Sequence, residues 1–245
     1  MRQVVAVLRS TLYVLLQVVI TPPYALVVLA TFPLAPLDRY RIISYWARTM
    51  VWLAGVLLGI RYRVDGRGNI PRGPSIVMAK HQSAWETMVL QVLLPPHVYV
   101  IKRELLRIPF FGWALALMSP IAIDRAAGMR SLKETLRQGR DRLAQGFSVV
   151  IFPEGTRTAP GTRVKYQSGG AWLACKAGAQ VVPVAHNAGE LWGRNALVRY
   201  PGLITVVFGT PIDASRLEPE ELTRRVETWV EGEMDRINGT AAQAA

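Results

Sequence analysis

The chain has 245 residues, a net charge of +12 at neutral pH and 51% hydrophobic residues, which excludes disorder as its main theme. It also argues against a soluble nucleic-acid binder: such proteins are rarely this apolar, and no recognisable binding motif or basic–aromatic platform is present. The single cysteine, Cys175, excludes an intrachain disulfide, and three histidines without an HExxH or His/Cys cluster give no basis for a protein-bound metal.

Basic and apolar together point to a membrane surface, where anionic lipid attracts Lys and Arg and apolar segments insert. The first segment fits that reading. Residues 10–37 carry no charge and are bounded by Arg9 and Asp38, a run longer than the ~20 apolar residues that span a bilayer core. Pro22-Pro23 interrupts it, so the expectation is a helix to about Ile20, a break, and a shorter helix beyond. A second apolar stretch, 42–60, carries Arg48, Tyr45, Trp46 and Trp52, a composition suited to an interfacial helix as much as to a span. Residues 1–60 therefore read as a membrane-associated helical region, with the following domain on the cytoplasmic side of the inner or plasma membrane, as the positive-inside tendency favours.

From Arg61 the texture changes to short β-type runs alternating with helical ones, the signature of an α/β domain covering 61–237. The expected fold is a mixed, mostly parallel sheet flanked by helices. Strands are predicted at 61–64, 75–79, 98–101, 121–123, 147–152, 180–185 and 203–208. Ser131-Leu-Lys-Glu134 reads as a capping box opening a helix, with Leu132, Leu136 and Leu143 at helical spacing. Pro219 opens a last helix with Leu222, Val226, Trp229, Val230 and Ile237 on its apolar face. Residues 238–245 read as a flexible tail.

Three constellations carry chemistry. In Ser75-Ile-Val-Met-Ala-Lys-His81-Gln-Ser-Ala-Trp-Glu86 an apolar strand delivers a histidine, and a carboxylate follows five residues later. A neutral imidazole takes a proton from a hydroxyl if its other nitrogen is held as a donor, and Glu86, across a strand-to-helix junction, is placed to hold it. Ser83-Ala-Trp-Glu86 is equally a capping box in which Glu86 serves only the helix, and from this stretch alone both readings stand. In Phe152-Pro-Glu-Gly-Thr-Arg157 a second strand ends in a polar turn. There Gly155 permits close approach, Thr156 offers a hydroxyl and Arg157 a fork for phosphate or carboxylate oxygens, with Glu154 positioning the arginine or the substrate. Lys102 and Arg125 follow apolar runs and add positive charge at the same edge.

In this order and at these separations, the blocks His81…Glu86, Lys102…Ile-Ala-Ile-Asp-Arg125, Phe152-Pro-Glu-Gly-Thr-Arg157 and Val181-Val-Pro-Val184 resemble the glycerolipid acyltransferases, the family of 1-acyl-sn-glycerol-3-phosphate acyltransferases, over residues 60–211. The resemblance implies transfer of a fatty acyl group from acyl-CoA or acyl-carrier protein, as co-substrate, to the free hydroxyl of a lysophospholipid acceptor at the phospholipid bilayer. It implies no further cofactor. It makes His81 the general base, Glu86 its orienting carboxylate and Arg157 a phosphate ligand assisted by Lys102 and Arg125. The family's usual acid is Asp in an HxxxxD pattern; here Glu stands in its place. Other lysolipid acceptors, among them lyso-ornithine lipid, share this chemistry. A thioesterase or lipase is the nearest rival, although GxSxG is absent, and a non-enzymatic membrane-binding module is the rival from another class.

Overall fold

The computed structural model describes residues 2–108, 111–124 and 128–243. Helix α1 (Arg2–Ala30) and helix α2 (Pro36–Leu53) precede the sheet domain. Helix α1 passes through Pro22 and Pro23 without the expected break. The reason lies in bracing at that turn: the Thr21 hydroxyl donates to Gln17 O (2.6 Å), Trp46 Nε1 donates to Thr21 Oγ1 (3.2 Å), and the Tyr24 hydroxyl donates to Ile42 O. One side chain of α2, Trp46, and one of its backbone carbonyls, that of Ile42, thus hold the turn where the prolines remove two backbone donors.

An 18-residue window within Gln3–Ala30 has a mean hydropathy of 2.0 with only 11% of it buried, so α1 is long and apolar enough to cross a membrane and is not a core helix. Val4, Leu8, Leu15, Val18, Val19 and Leu26 are exposed along it. Helix α2 is amphipathic: Tyr40, Ile43, Ala47 and Met50 are buried, while Tyr45 and Trp52 face outward. It closes in a π-turn (Ala54–Leu58) stopped by Gly59 at φ +70°, where an added Cβ would lie 3.0 Å from Pro201. These exposed apolar surfaces fit membrane association.

The sheet comprises β1 (Ile60–Asp65), β2 (Ile76–Ala79), β3 (His97–Lys102), β4 (Ile121–Ile123), β5 (Ser148–Ile151), β6 (Gln180–His186), β7 (Gly202–Phe208) and β8 (Ile212–Asp213), in the order β1-β7-β6-β2-β5-β3-β4 with β8 beside β6. All pairings are parallel except β6 with β7 and β6 with β8. The mixed, mostly parallel sheet is therefore as expected, with β8 as an addition too short to leave a sequence pattern.

Along β2 the side chains alternate between two cores. Val77 and Ala79 pack with Trp85, Leu90, Val150 and Val182 beneath α1, α2 and helix α3 (Trp85–Leu93). Ile76 and Met78 pack with Val149, Leu173 and Val230 beneath helix α5 (Met129–Ala144), helix α6 (Gly169–Ala177) and helix α8 (Pro219–Gln243). Two short helices complete the fold, α4 (Phe111–Leu117) against α1 and α7 (Ala188–Leu191) against β7.

Two local expectations change. Helix α5 starts at Met129, after Gly128 at φ +50°, so Ser131 lies inside it, and Glu134 bonds Arg137 and Gln138 instead of closing a capping box. Helix α8 opens at Pro219 as expected and buries Leu222, Val226, Val230 and Ile237. It then continues to Gln243, through most of the stretch expected as a tail, although Asn238, Gly239 and Thr240 are weak helix formers.

Candidate active site

Parallel strands β2, β3 and β5 end at one edge of the sheet, where open α/β sheets place their ligands. Strand β2 is buried throughout, and the chain leaves it through Lys80 into a turn carrying His81. Glu86, in the first turn of α3, accepts three hydrogen bonds on one oxygen. Its Oε1 receives His81 Nδ1–H at 2.7 Å, Gln82 N–H at 3.1 Å and Ser83 N–H at 2.9 Å. Ser83 Oγ in turn accepts from Trp85 N–H at 3.1 Å. The reach of Glu86 back to the Ser83 N–H, the half of the capping box that is present, and the histidine–carboxylate pair thus share one oxygen.

Glu86 is fully buried. Burial by itself would raise its pKa, but the His81 hydrogen bond, the neighbouring His186 and the Ser83 N–H together hold it below the ordinary carboxylate value. The ionised carboxylate fixes His81 with its proton on Nδ1, which leaves Nε2 as the basic atom. The imidazole stacks on Phe152 (centroids 3.9 Å apart, 15° between planes), which stacks on Tyr99 in turn.

The turn after β5 grips the same histidine by its backbone. Glu154 Oε1 accepts His81 N–H at 3.1 Å, while Thr158 donates its N–H (2.8 Å) and its hydroxyl (3.2 Å) to His81 O. Gly155 sits at φ +73°, which a Cβ would strain. Glu154 is buried, and that burial, only partly offset by Lys80 at 3.5 Å, raises its pKa to about 7. Lys80 Nζ donates more closely to Glu231 Oε1 at 2.7 Å, which also receives the Tyr166 hydroxyl at 3.0 Å. Among the described residues, then, Glu154 holds the His81 backbone and Lys80 and makes no bond to Arg157, the partner considered from sequence.

A cavity of about 1540 Å³ opens over this edge. His81, Glu154, Gly155, Thr156, Arg157 and Lys102 line it, and α1 and α2 supply apolar wall through Ala25, Val28 and Ile43. Arg157 Nε is buried without a partner among the described residues. Arg125 lies outside the described residues.

Sequence reasoning missed several contributors. Arg194 lines the cavity and donates to Arg157 O at 3.2 Å. Buried His186 donates from Nε2 to Lys80 O (2.8 Å) and accepts Ala188 N–H on Nδ1 (3.3 Å), which pins the start of the His81 turn. Lys80 itself carried a signal, a charge closing an otherwise apolar strand. Arg194, Thr158 and Glu231 carried none, since only the fold brings them near.

The family model described as Acyltransferase matches residues 61–187, more than half of the chain and all three of these strand-end turns. The chain belongs to the acyltransferase family. Among curated members it is 47% identical over 204 residues to a 1-acyl-sn-glycerol-3-phosphate acyltransferase of Pseudomonas aeruginosa, covering 82% of this chain and 79% of the relative. It is 30% identical to one of Borreliella burgdorferi, covering 76% and 75%. The crystal structure of the 1-acyl-sn-glycerophosphate acyltransferase PlsC of Thermotoga maritima superposes with a TM-score of 0.82 over 97% of this chain and 98% of that one, at 23% identity. That likeness extends the shared fold to the N-terminal helices, beyond the part matched by the family model.

Proposed function

We propose that this acyltransferase moves a fatty acyl group from a thioester, acyl-CoA or acyl-carrier protein, to the free hydroxyl of 1-acyl-sn-glycerol 3-phosphate, giving phosphatidic acid. One observation carries the reading: His81 Nδ1 bonded to buried Glu86 at 2.7 Å, with the imidazole lining a cavity that is basic on one side and walled by a membrane-type helix on the other. The names of the relatives support the choice of acceptor.

In the step, His81 Nε2 takes the proton of the acceptor hydroxyl as its oxygen attacks the thioester carbonyl carbon. The new C–O bond forms, the C–S bond breaks through a tetrahedral intermediate, and the proton passes from Nε2 to the leaving sulfur. No enzyme nucleophile takes part. Glu86 holds the tautomer and stabilises the transient imidazolium. Arg157 offers its unpartnered Nε–H to the acceptor phosphate, with Lys102 and Arg125 adding charge. The apolar wall accommodates acyl chains. Helix α1 sets the domain against the bilayer, and the basic sheet domain lies on the cytoplasmic side.

The test is purified protein in detergent with an acyl thioester and a panel of lysolipids. Phosphatidic acid is the expected product, with thiol release that depends on acceptor and disappears in His81→Ala. Equal fatty-acid release without acceptor makes the protein a thioesterase and overturns the proposal.

A further inference from the structure

A second cavity, of about 840 Å³, lies at the other end of α1 and is lined by Gln3, Val5, Arg9, Leu58, Arg199 and Tyr200. Arg199 is unusual in it. Its residue is only 9% exposed, and its Nε is buried without a hydrogen-bond partner. Among the described residues no carboxylate lies within ion-pair distance of it. Its guanidinium lies over the Trp192 ring at 4.2 Å and beside Tyr13 at 5.3 Å, and among the described residues its only side-chain bond is a long one, 3.4 Å, to Leu197 O. Ser10 ties the Arg199 backbone to α1, with Oγ accepting Arg199 N–H at 2.9 Å. The charge is therefore held in place by construction, and its ring contacts do not supply a counter-anion.

What surrounds it defines that anion. Arg9 is exposed and is the last charge before the uncharged run of α1, which places this end of the helix at the polar boundary of an apolar surface. Val4, Val5 and Leu8 are exposed beside it. Two arginines at a cavity that continues onto exposed apolar side chains match a ligand with an anionic phosphate and acyl chains.

We propose that this cavity is a binding site for the phosphate of an anionic phospholipid, held by Arg199 and Arg9, separate from the acyl-transfer cavity. The two cavities share a wall, since Trp192 stacks on Arg199 and also lines the first cavity. Binding here is independent of the reaction assigned above.

The experiment measures lipid binding by native mass spectrometry of delipidated full-length protein in neutral detergent. Phosphatidylglycerol is titrated against wild type, Arg199→Met, Arg9→Gln and Arg216→Met; the last removes one exposed charge elsewhere. The expected result is a ~10-fold weaker first phosphatidylglycerol in Arg199→Met and a smaller loss in Arg9→Gln. Arg216→Met should match wild type, and phosphatidylcholine should bind at the level of Arg199→Met. Equal losses in Arg199→Met and Arg216→Met would mean general charge attraction and overturn the site. Inorganic phosphate binding as tightly as phosphatidylglycerol would overturn its assignment to a lipid.

Discussion

The turns after β2 and β5 each bury a glutamate, and each glutamate accepts a backbone N–H of the His81 segment, yet their charge states diverge. Glu86 is held below the ordinary carboxylate pKa, whereas Glu154 is raised to about 7. Burial does not separate them, because both are nearly inaccessible. The difference lies in the donors. Glu86 gathers an imidazole N–H and two backbone N–H groups on one oxygen, while Glu154 has one backbone N–H and a lysine that sits closer to Glu231. A buried carboxylate remains ionised where dedicated donors replace water. Here the ionised one faces the side chain of His81, and the other steadies its backbone.

Substitutions sharpen this contrast, beginning with the largest effect. His81→Ala should lower kcat for acyl transfer on the order of 10³-fold or more, since the ring lines the cavity, and should also lower the thermal midpoint, since buried Glu86 loses its imidazole donor. A loss below tenfold would remove it as the base. Arg157→Ala should raise the acceptor KM by roughly 10- to 100-fold with kcat less affected, as expected for a lost charged hydrogen bond. An unchanged KM would place the phosphate elsewhere.

Glu154→Gln should alter the pH dependence of stability more than the rate. The folded pKa of about 7 lies above the unfolded carboxylate value. As pH rises between those two values, the unfolded chain therefore loses a proton that the folded chain keeps, and stability falls by up to about 3 kcal/mol. The variant should flatten that fall in thermal melts between pH 5 and 8, with the rate within several-fold of wild type. Glu86 carries the opposite sign: its stabilisation is present above the ordinary carboxylate pKa and is lost as pH falls through its lowered value. Buried His97, with its pKa lowered to about 4, acts in the opposite sense in both proteins, so the difference between them is the readout: melts of Glu154→Gln that change with pH as those of wild type do would contradict the state assigned to Glu154.

Much of this was legible in the sequence, for identifiable reasons. Strands β2 to β7 are largely apolar runs, as a sheet covered on both faces requires, whereas edge strand β1 (Ile60–Asp65) alternates apolar and charged residues and is only partly buried. His81, Arg157 and Lys102 were legible because each closes such a run. Pro22-Pro23 misled because the compensating bonds come from Trp46 and Ile42, residues on another helix. Ser131 misled because the S-x-x-E pattern, which at Ser83 precedes α3, here lies one turn inside α5. The Lys80–Glu154–Glu231–Tyr166 cluster and the Arg199 site join residues far apart in the chain, and local spacing does not encode such meetings.

One oxygen of Glu86 serves both the start of α3 and the histidine, and Glu86→Gln tests that double role. The amide still offers an oxygen to Gln82 and Ser83 but carries no charge to fix and stabilise His81. Turnover and thermal midpoint measured on the same preparation should show kcat reduced by roughly 10²- to 10³-fold with a midpoint close to wild type. Wild-type turnover at an unchanged midpoint would contradict the account and leave Glu86 as a helix cap alone.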